Sequence, residues 1–273
     1  QIHDNTANRR SLTIRGNVTV DLGANITVGT GNTVTGVTTP LTVTDGGTSP
    51  FINYYATETH TIIVQGNFIN NGTEKVTNQT APKYDAFPSN GAASVYFQGS
   101  TSNQLYCNGT TDFYNLILDK GNDQTFVLTL YSTAYTNFRL FGANNGRSNN
   151  STTANPDVKK ALWIRNGTLK LQGLTVIPSL SEGSSTSGSN TSNYIIPANG
   201  ALLLDGSDVI VLSTADSYTE IQAAYGLTGG TNVLYGIQTG AGSVSSLSVF
   251  GKLQVNNGYL STRESAGIQY WSY

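Results

Sequence analysis

Few side chains in this 273-residue sequence have the chemistry of a reactive centre, and they lie far apart along it. His3, His60 and the single Cys107 lack the clustered spacing of a zinc site, so neither a metal nor a cofactor is expected. Cys107 shares its strand face with Leu105 and reads as a small buried hydrophobe, with no neighbouring base to make it a nucleophile. The nearest pair of carboxylates is in Asp205-Gly-Ser-Asp208. Glycoside cleavage needs such a pair, but aspartates beside a glycine also serve a turn, and these are expected to mark one. Asp119, Lys120 and Asp123 around Gly121 read as a solvated corner. With its acids scattered one by one, the chain is expected not to be an enzyme.

Aromatic side chains can contact glycans, and Phe51, Tyr54, Tyr55, Tyr131, Tyr135, Trp163, Tyr270 and Trp271 are candidates. Trp163, Tyr54, Tyr55 and Trp271 are the expected glycan or partner contacts. Trp163 lies between Leu162 and Ile164 in an alternating run, which turns it away from the face those two share. The Asn-x-Ser/Thr sequons, Asn17, Asn25, Asn71, Asn78, Asn108, Asn150, Asn166 and Asn190, are what so Asn- and Thr-rich a chain produces by chance. Thr33 to Thr44 is too broken by Gly36 and Pro40 to form a flat threonine array.

The elements that would position these residues are strands. Apolar residues alternate with period two in Leu12-Thr-Ile14, Val18-Thr-Val20, Ile26-Thr-Val28 and Leu41-Thr-Val43, and β-branched types dominate. The one helical candidate is Tyr218 to Leu227. Asn-Gly and Asp-Gly dipeptides such as Asn71-Gly72, Asn108-Gly109, Asn166-Gly167 and Asp205-Gly206 supply sharp corners. Charged residues are 11% of the chain and the formal net charge is -2, which gives no electrostatic footprint for nucleic acid. No apolar run approaches the roughly 20 residues of a membrane-spanning helix. Gln1 in place of an initiator Met suggests a processed or excised chain.

A unit of alternating apolar residues running into a glycine recurs as Leu12-Thr-Ile14-Arg-Gly16, Ile62-Ile-Val64-Gln-Gly66, Val95-Tyr-Phe97-Gln-Gly99, Leu202-Leu-Leu204-Asp-Gly206 and Leu247-Ser-Val249-Phe-Gly251. Leu162-Trp-Ile164-Arg-Asn166-Gly167 is a sixth copy, with its glycine one place later. The gaps between these glycines, 50, 33, 68, 39 and 45 residues, read as whole multiples of a coil of roughly 20 to 25 residues. The expected fold is all-β: a right-handed parallel β-helix, or β-solenoid, with inserted loops, the alternative being two β-sandwich modules. Residues 1–11 would be an N-terminal extension or cap. Residues 12–273 would be the solenoid, continuing beyond Tyr273. Ile14, Val64, Phe97, Ile164, Leu204 and Val249 should point inward. Gly142 to Lys160 and Ser181 to Asn193 should leave the body as loops, and Thr73 to Gly91 should form an ordered excursion.

Several runs, among them Ala161-Leu-Trp-Ile-Arg-Asn-Gly-Thr-Leu-Lys-Leu171, Gly66-Asn-Phe-Ile-Asn-Asn-Gly72, Phe113-Tyr-Asn-Leu-Ile117 and Val249-Phe-Gly-Lys-Leu-Gln-Val-Asn-Asn-Gly-Tyr-Leu260, resemble segments of very large surface proteins of Bacteroidota. These are the repetitive adhesins exported by type IX secretion, some of them used in gliding motility. The resemblance spans most of residues 12 to 268. It implies a non-enzymatic structural or adhesive segment of a secreted, extracellular protein of the bacterial cell surface, presenting loops to glycans, to other surface proteins or to more of the same chain. The alternatives are a polysaccharide lyase or glycoside hydrolase on the same fold, and a phage or filament fibre.

Overall fold

The computed structural model describes residues 11–28, 42–43, 51–52, 59–77, 92–140, 162–177, 185–186, 189–211, 244–261 and 270–271. The strands follow one another in circuits. β1 (Ser11–Ile14), β2 (Val18–Val20) and β3 (Asn25–Thr27) make the first, and β4 (Thr42–Val43) and β5 (Phe51–Ile52) pair antiparallel outside it. The second is β6 (Thr59–Val64), β7 (Phe68–Asn70) and β8 (Thr73–Lys75), and the third is β9 (Ala92–Gly99), β10 (Asn103–Cys107) and β11 (Thr110–Phe113). The fourth holds β12 (Asn115–Lys120), β13 (Val127–Ser132) and β14 (Phe138–Leu140), and the fifth β15 (Leu162–Gly173) and β16 (Val176–Ile177). After a short β17 (Ser185–Thr186) come β18 (Ser189–Ile196) and β19 (Gly200–Val211), then β20 (Val244–Val249) and β21 (Lys252–Ser261), and last β22 (Tyr270–Trp271).

Strands adjacent in a circuit meet at corners, and hydrogen bonds run between circuits in parallel register. A first wall is β1-β6-β9-β12 with Leu162–Asn166 of β15. A second is β2-β7-β10-β13 with Thr168–Gly173 of β15, followed by β19 and β21. A third is β3-β8-β11-β14. Alternation then sends every second residue inward: Val64, Phe97, Leu118 and Ile164 from the first wall, Leu105, Leu130, Leu171 and Leu204 from the second, and Phe113 and Leu140 from the third are all buried in one cluster. Four phenyl rings tie the walls together. Phe97 meets Phe68 at 6.5 Å, Phe68 meets Phe113 at 6.1 Å and Phe113 meets Phe138 at 5.8 Å, each edge to face.

This architecture corrects the expected fold. Because β15 belongs to both the first and second walls, they form one continuous sheet with the path β1-β6-β9-β12-β15-β13-β10-β7-β2. That nine-strand path doubles back on itself, and its two ends are joined through Arg15, Gly16 and Asn17. The open right-handed β-helix of separate faces is therefore replaced by a nearly closed parallel enclosure around a single core. No described helix connects its strands. Two β-sandwich modules are excluded, because the wall pairs are parallel and share one core.

The regular period also fails. Positions paired across successive circuits, from Ser11 with Thr61 to Ala201 with Lys252, are 50, 33, 21, 46, 33 and 51 residues apart, so each gap is one circuit and not a multiple of a short coil. The corner column is Gly16, Gly66, Gly99, then Lys120, then Gly167, Gly200 and Gly251. Lys120 hid the fourth copy, and Gly206, assigned to the column from the sequence, belongs to the second wall. At Gly66 and Gly251 glycine is required by lack of space. A Cβ at Gly66 would lie 2.4 Å from the carbonyl oxygen of Gly16, and one at Gly251 2.1 Å from that of Gly200. Lys120 instead turns its fully buried side chain to three oxygens: Nζ donates to Gln98 O (3.1 Å), Thr101 O (3.0 Å) and Asn103 Oδ1 (2.5 Å).

Among the residues expected to point inward, Val64, Phe97, Ile164 and Leu204 are buried and Ile14 packs against the core, but Val249 is 42% exposed. The expected loop Ser181 to Asn193 is partly strand, since Thr191, Ser192 and Asn193 pair with Val244, Ser245 and Ser246. The expected excursion from Thr73 begins instead inside the third wall, as β8. Gly142 to Lys160 and the helical candidate Tyr218 to Leu227 lie outside the described residues.

Candidate functional site

The parallel register gathers polar side chains that the sequence keeps far apart, in two places. One is inside the enclosure, where the second and third walls meet. Asn70 donates from Nδ2 to Thr110 O (2.7 Å) and Thr111 Oγ1 (2.9 Å), and its Oδ1 accepts from the amide of Gly72 (2.9 Å). Glu74, paired in register with Ile26 and Thr111, is 1% exposed, and its Oε2 has no hydrogen-bond partner. Burial, and secondarily the charge of Asp112, raises its carboxyl well above the usual range, so it is held protonated. Cys107 lies close by. Burial pushes its thiol up to about 12 against the opposing effect of a hydrogen bond with Thr111, which makes it inert as a nucleophile. On the other face of the third wall Arg139 grips Asp112 through two bonds of 2.6 Å. Glu74, Cys107 and Thr111 are sealed from solvent, so this interior group stores a proton but touches no substrate.

The second place is the outer face of the second wall. Asp205, far from marking a turn, lies within β19 and is the hub of a network drawn from three strands. Lys170 Nζ is 2.7 Å from Asp205 Oδ2, Gln172 Nε2 donates to the same oxygen at 2.9 Å, and Asn256 Nδ2 donates to Oδ1 at 3.0 Å. The hydrogen bonds from Lys170, Asn256 and Gln172 hold its carboxyl down to about 2, so Asp205 is ionised at any ordinary pH. Immediately afterwards the pairing with β21 jumps from Asp205–Asn257 to Ile210–Tyr259. The bulge turns Val209 inward and lifts Ser207 and Asp208 into solvent, where Ser207 Oγ donates to Asp208 Oδ2 (3.1 Å). Tyr135 approaches from beyond β13. Partial burial, and then the charge of Asp208, raises its phenol and keeps it protonated. Tyr106 and Tyr131 stack on the same outer face, 4.8 Å apart and 4° from parallel.

The expectation of a non-enzymatic segment is therefore corrected. It rested on acids standing one by one, whereas the fold brings Asp205 together with Lys170, Gln172 and Asn256, with Asp208 exposed on the bulge that follows and Tyr135 near enough to feel its charge. Two ionisable carboxylates, a cation and a protonated phenol on one accessible face are the equipment of acid and base chemistry, not of a passive adhesive loop. A second carboxylate hub stands at the corner of the first wall, where Asp119 accepts from Asn166 Nδ2 (2.6 Å) and Gln98 Nε2 (3.4 Å) and has Arg165 at 3.6 Å. The supposed solvated corner is thus also an organised one, with Lys120 buried inside it.

Of the expected contact residues, Trp163 is half-buried on the outer face of the first wall, with the Arg165 guanidinium 4.7 Å from its ring centre. Tyr54 and Tyr55 lie outside the described residues, and Trp271 is placed only through its backbone pairing with Leu260. Trp163 lies on a different wall from Asp205. What sequence reasoning missed is Lys170, Gln172 and Asn256 as partners. The available signal was the alternation that turns Lys170 and Gln172 to the face opposite Leu169 and Leu171.

The resemblance to Bacteroidota adhesins, with the type IX secretion and gliding roles it implied, is corrected on the same ground. The residues that carried it are packing residues. Asn70 and Phe113 to Ile117 are buried, Asn166 and Gly167 form a corner, and such positions recur because the walls require them. They therefore carry no information about an adhesive role. No family model, curated protein or solved structure matches this chain.

Proposed function

We propose that the protein hydrolyses a polysaccharide on the outer face formed by β13, β15, β19 and β21. The observation that carries this reading is the Asp205 hub beside a bulge that exposes a second carboxylate. In glycoside hydrolysis the bond from the anomeric carbon to the leaving oxygen breaks, water supplies a hydroxyl to that carbon, and a proton reaches the leaving oxygen. Asp205, held ionised, faces the positive charge that develops on the sugar ring. Asp208, exposed and free of a paired cation among the described residues, takes the proton from the attacking water. Tyr135, kept protonated, delivers one to the leaving oxygen. Trp163, and with it Tyr54, Tyr55 and Trp271, would contact the polymer away from the reacting bond, and an extracellular setting suits a polymeric substrate.

The test is release of reducing ends from a panel of plant, algal and fungal polysaccharides. Asp205→Asn and Asp208→Asn should each lower turnover about 10²- to 10⁴-fold while leaving the circular dichroism spectrum unchanged. A wild-type chain that cleaves nothing on the panel, or an Asp205→Asn variant that retains full turnover, overturns the reading.

A further inference from the structure

The outer face of the second wall has an unusual charge pattern. Its outward positions form columns that cross the strands: Tyr106, Tyr131, Gln172, Asp205 and Asn256 in one, and Gln104, Thr129, Lys170, Leu203 and Gln254 in the next. In these two columns Lys170 is the one cation, and it is engaged by Asp205 at 2.7 Å. Asp208 adds a negative charge beside them with no cation of its own among the described residues, and Lys252 stands one column further out. Apart from the aliphatic Leu203, the remaining groups are amides, a hydroxyl and phenols. The two tyrosines stack on each other, so each covers one face of the other's ring, and a Cβ at Gly173 would strike the Tyr131 ring at 2.9 Å, so that ring lies close over Gly173.

We propose that this face is a binding track for a neutral, hydroxyl-rich glycan lying across the strands, from Tyr106 over Tyr131 and Gln172 to the Asp205 bulge. The proposal rests on the hydrolysis reading for its direction, since it names the substrate class of that site. Neutral donors and acceptors repeat along the column at the inter-strand spacing of about 4.8 Å, close to the advance per sugar of an extended pyranose chain. A uronate polymer would bring a carboxylate with every sugar to a face that has a surplus aspartate and a lysine already neutralised. Its charges would be partly desolvated without partners, which is strongly unfavourable.

Affinity electrophoresis of the full chain separates the possibilities, with gels containing xylan, galactomannan or hydroxyethylcellulose on one side and polygalacturonate or alginate on the other. The expected result is retardation by at least one neutral polymer and by neither acidic one. Tyr131→Ala should weaken that retardation about tenfold or more, and Asp208→Lys should confer retardation by polygalacturonate. Stronger retardation by an acidic polymer, none by any neutral polymer, or an unaffected Tyr131→Ala variant overturns the proposal. Retardation by a neutral polymer without release of reducing ends sinks the hydrolysis reading and leaves the track standing. Cleavage confined to acidic polymers does the reverse.

Discussion

Gly66→Ala will destabilise this protein by about 3 kcal/mol or more, while Gly16→Ala, one circuit away in the same column, will be nearly silent. A Cβ at Gly66 would stand 2.4 Å from Gly16 O, 2.5 Å from its carbonyl carbon and 2.7 Å from Asn17 Oδ1, whereas one at Gly16 would meet nothing within 4 Å. Two of those three atoms are backbone. They cannot yield without moving β1 and β2 off β6 and β7, which would break the amide ladder in which Asn67 N donates to Asn17 Oδ1 (2.9 Å) and Gln104 N to Asn67 Oδ1 (2.9 Å). The effect comes from crowding and not from backbone strain, because neither glycine has positive φ. Thermal unfolding of both variants measures it. With roughly 2 to 4 °C per kcal/mol for a chain of this size, Gly66→Ala should melt about 6 to 12 °C below wild type or fail to fold, and equal midpoints would show that the corner is not closely packed.

Glu74→Gln will stabilise the protein at pH 8 and leave it nearly unchanged at pH 4. Folded Glu74 is held protonated, while in the unfolded chain it ionises as pH rises through the ordinary glutamate range, near 4.5. Above that value folding takes up a proton, so the contribution of Glu74 to stability is complete at low pH and declines as pH rises toward the folded-state value. The groups facing it are Ile26 of β3, Thr111 of β11 and Cys107 of β10, with Asp112 acting through its charge and itself clamped by Arg139. None supplies a cation that would favour the carboxylate. Gln has the shape of the protonated acid without the ionisation, so urea unfolding across pH 4 to 8 should show wild type losing stability relative to Glu74→Gln, by about 1 to 3 kcal/mol at the upper end. Parallel pH profiles for the two chains would mean that Glu74 is ionised in the fold.

Much of the local structure was legible because a strand side chain has only two directions. Alternation alone separates Leu169 and Leu171 from Lys170 and Gln172, and Leu105 and Cys107 from Tyr106. The corner glycines Gly16, Gly66 and Gly99 were legible for the same local reason, since each ends an alternating run. Lys120 broke the series. Its aliphatic stem and three oxygen acceptors occupy a place that glycine takes elsewhere, a substitution whose logic depends on Gln98, Thr101 and Asn103 in the circuit beside it. Gly206 misled for the opposite reason, since it follows an alternating run in sequence but opens a bulge within a wall.

What the sequence by itself determined is therefore the alternation of faces, the low charge and most of the corner glycines. The circuit lengths, the closure of two walls through β15 and the candidate site were decided only by tertiary structure. The partners of Asp205 stand 33 residues away at Gln172 and 51 residues away at Asn256, and nothing between them marks the distance. Parallel pairing across circuits of 21 to 51 residues sets those side chains beside one another, and which circuit stacks on which is fixed by the shared apolar core and the corner column, not by any local propensity. Glu74 makes the same point in the interior. The glutamate of Thr73-Glu-Lys75 falls in a segment expected to form an excursion, and it is buried only because Ile26, Thr111 and Cys107 close over it.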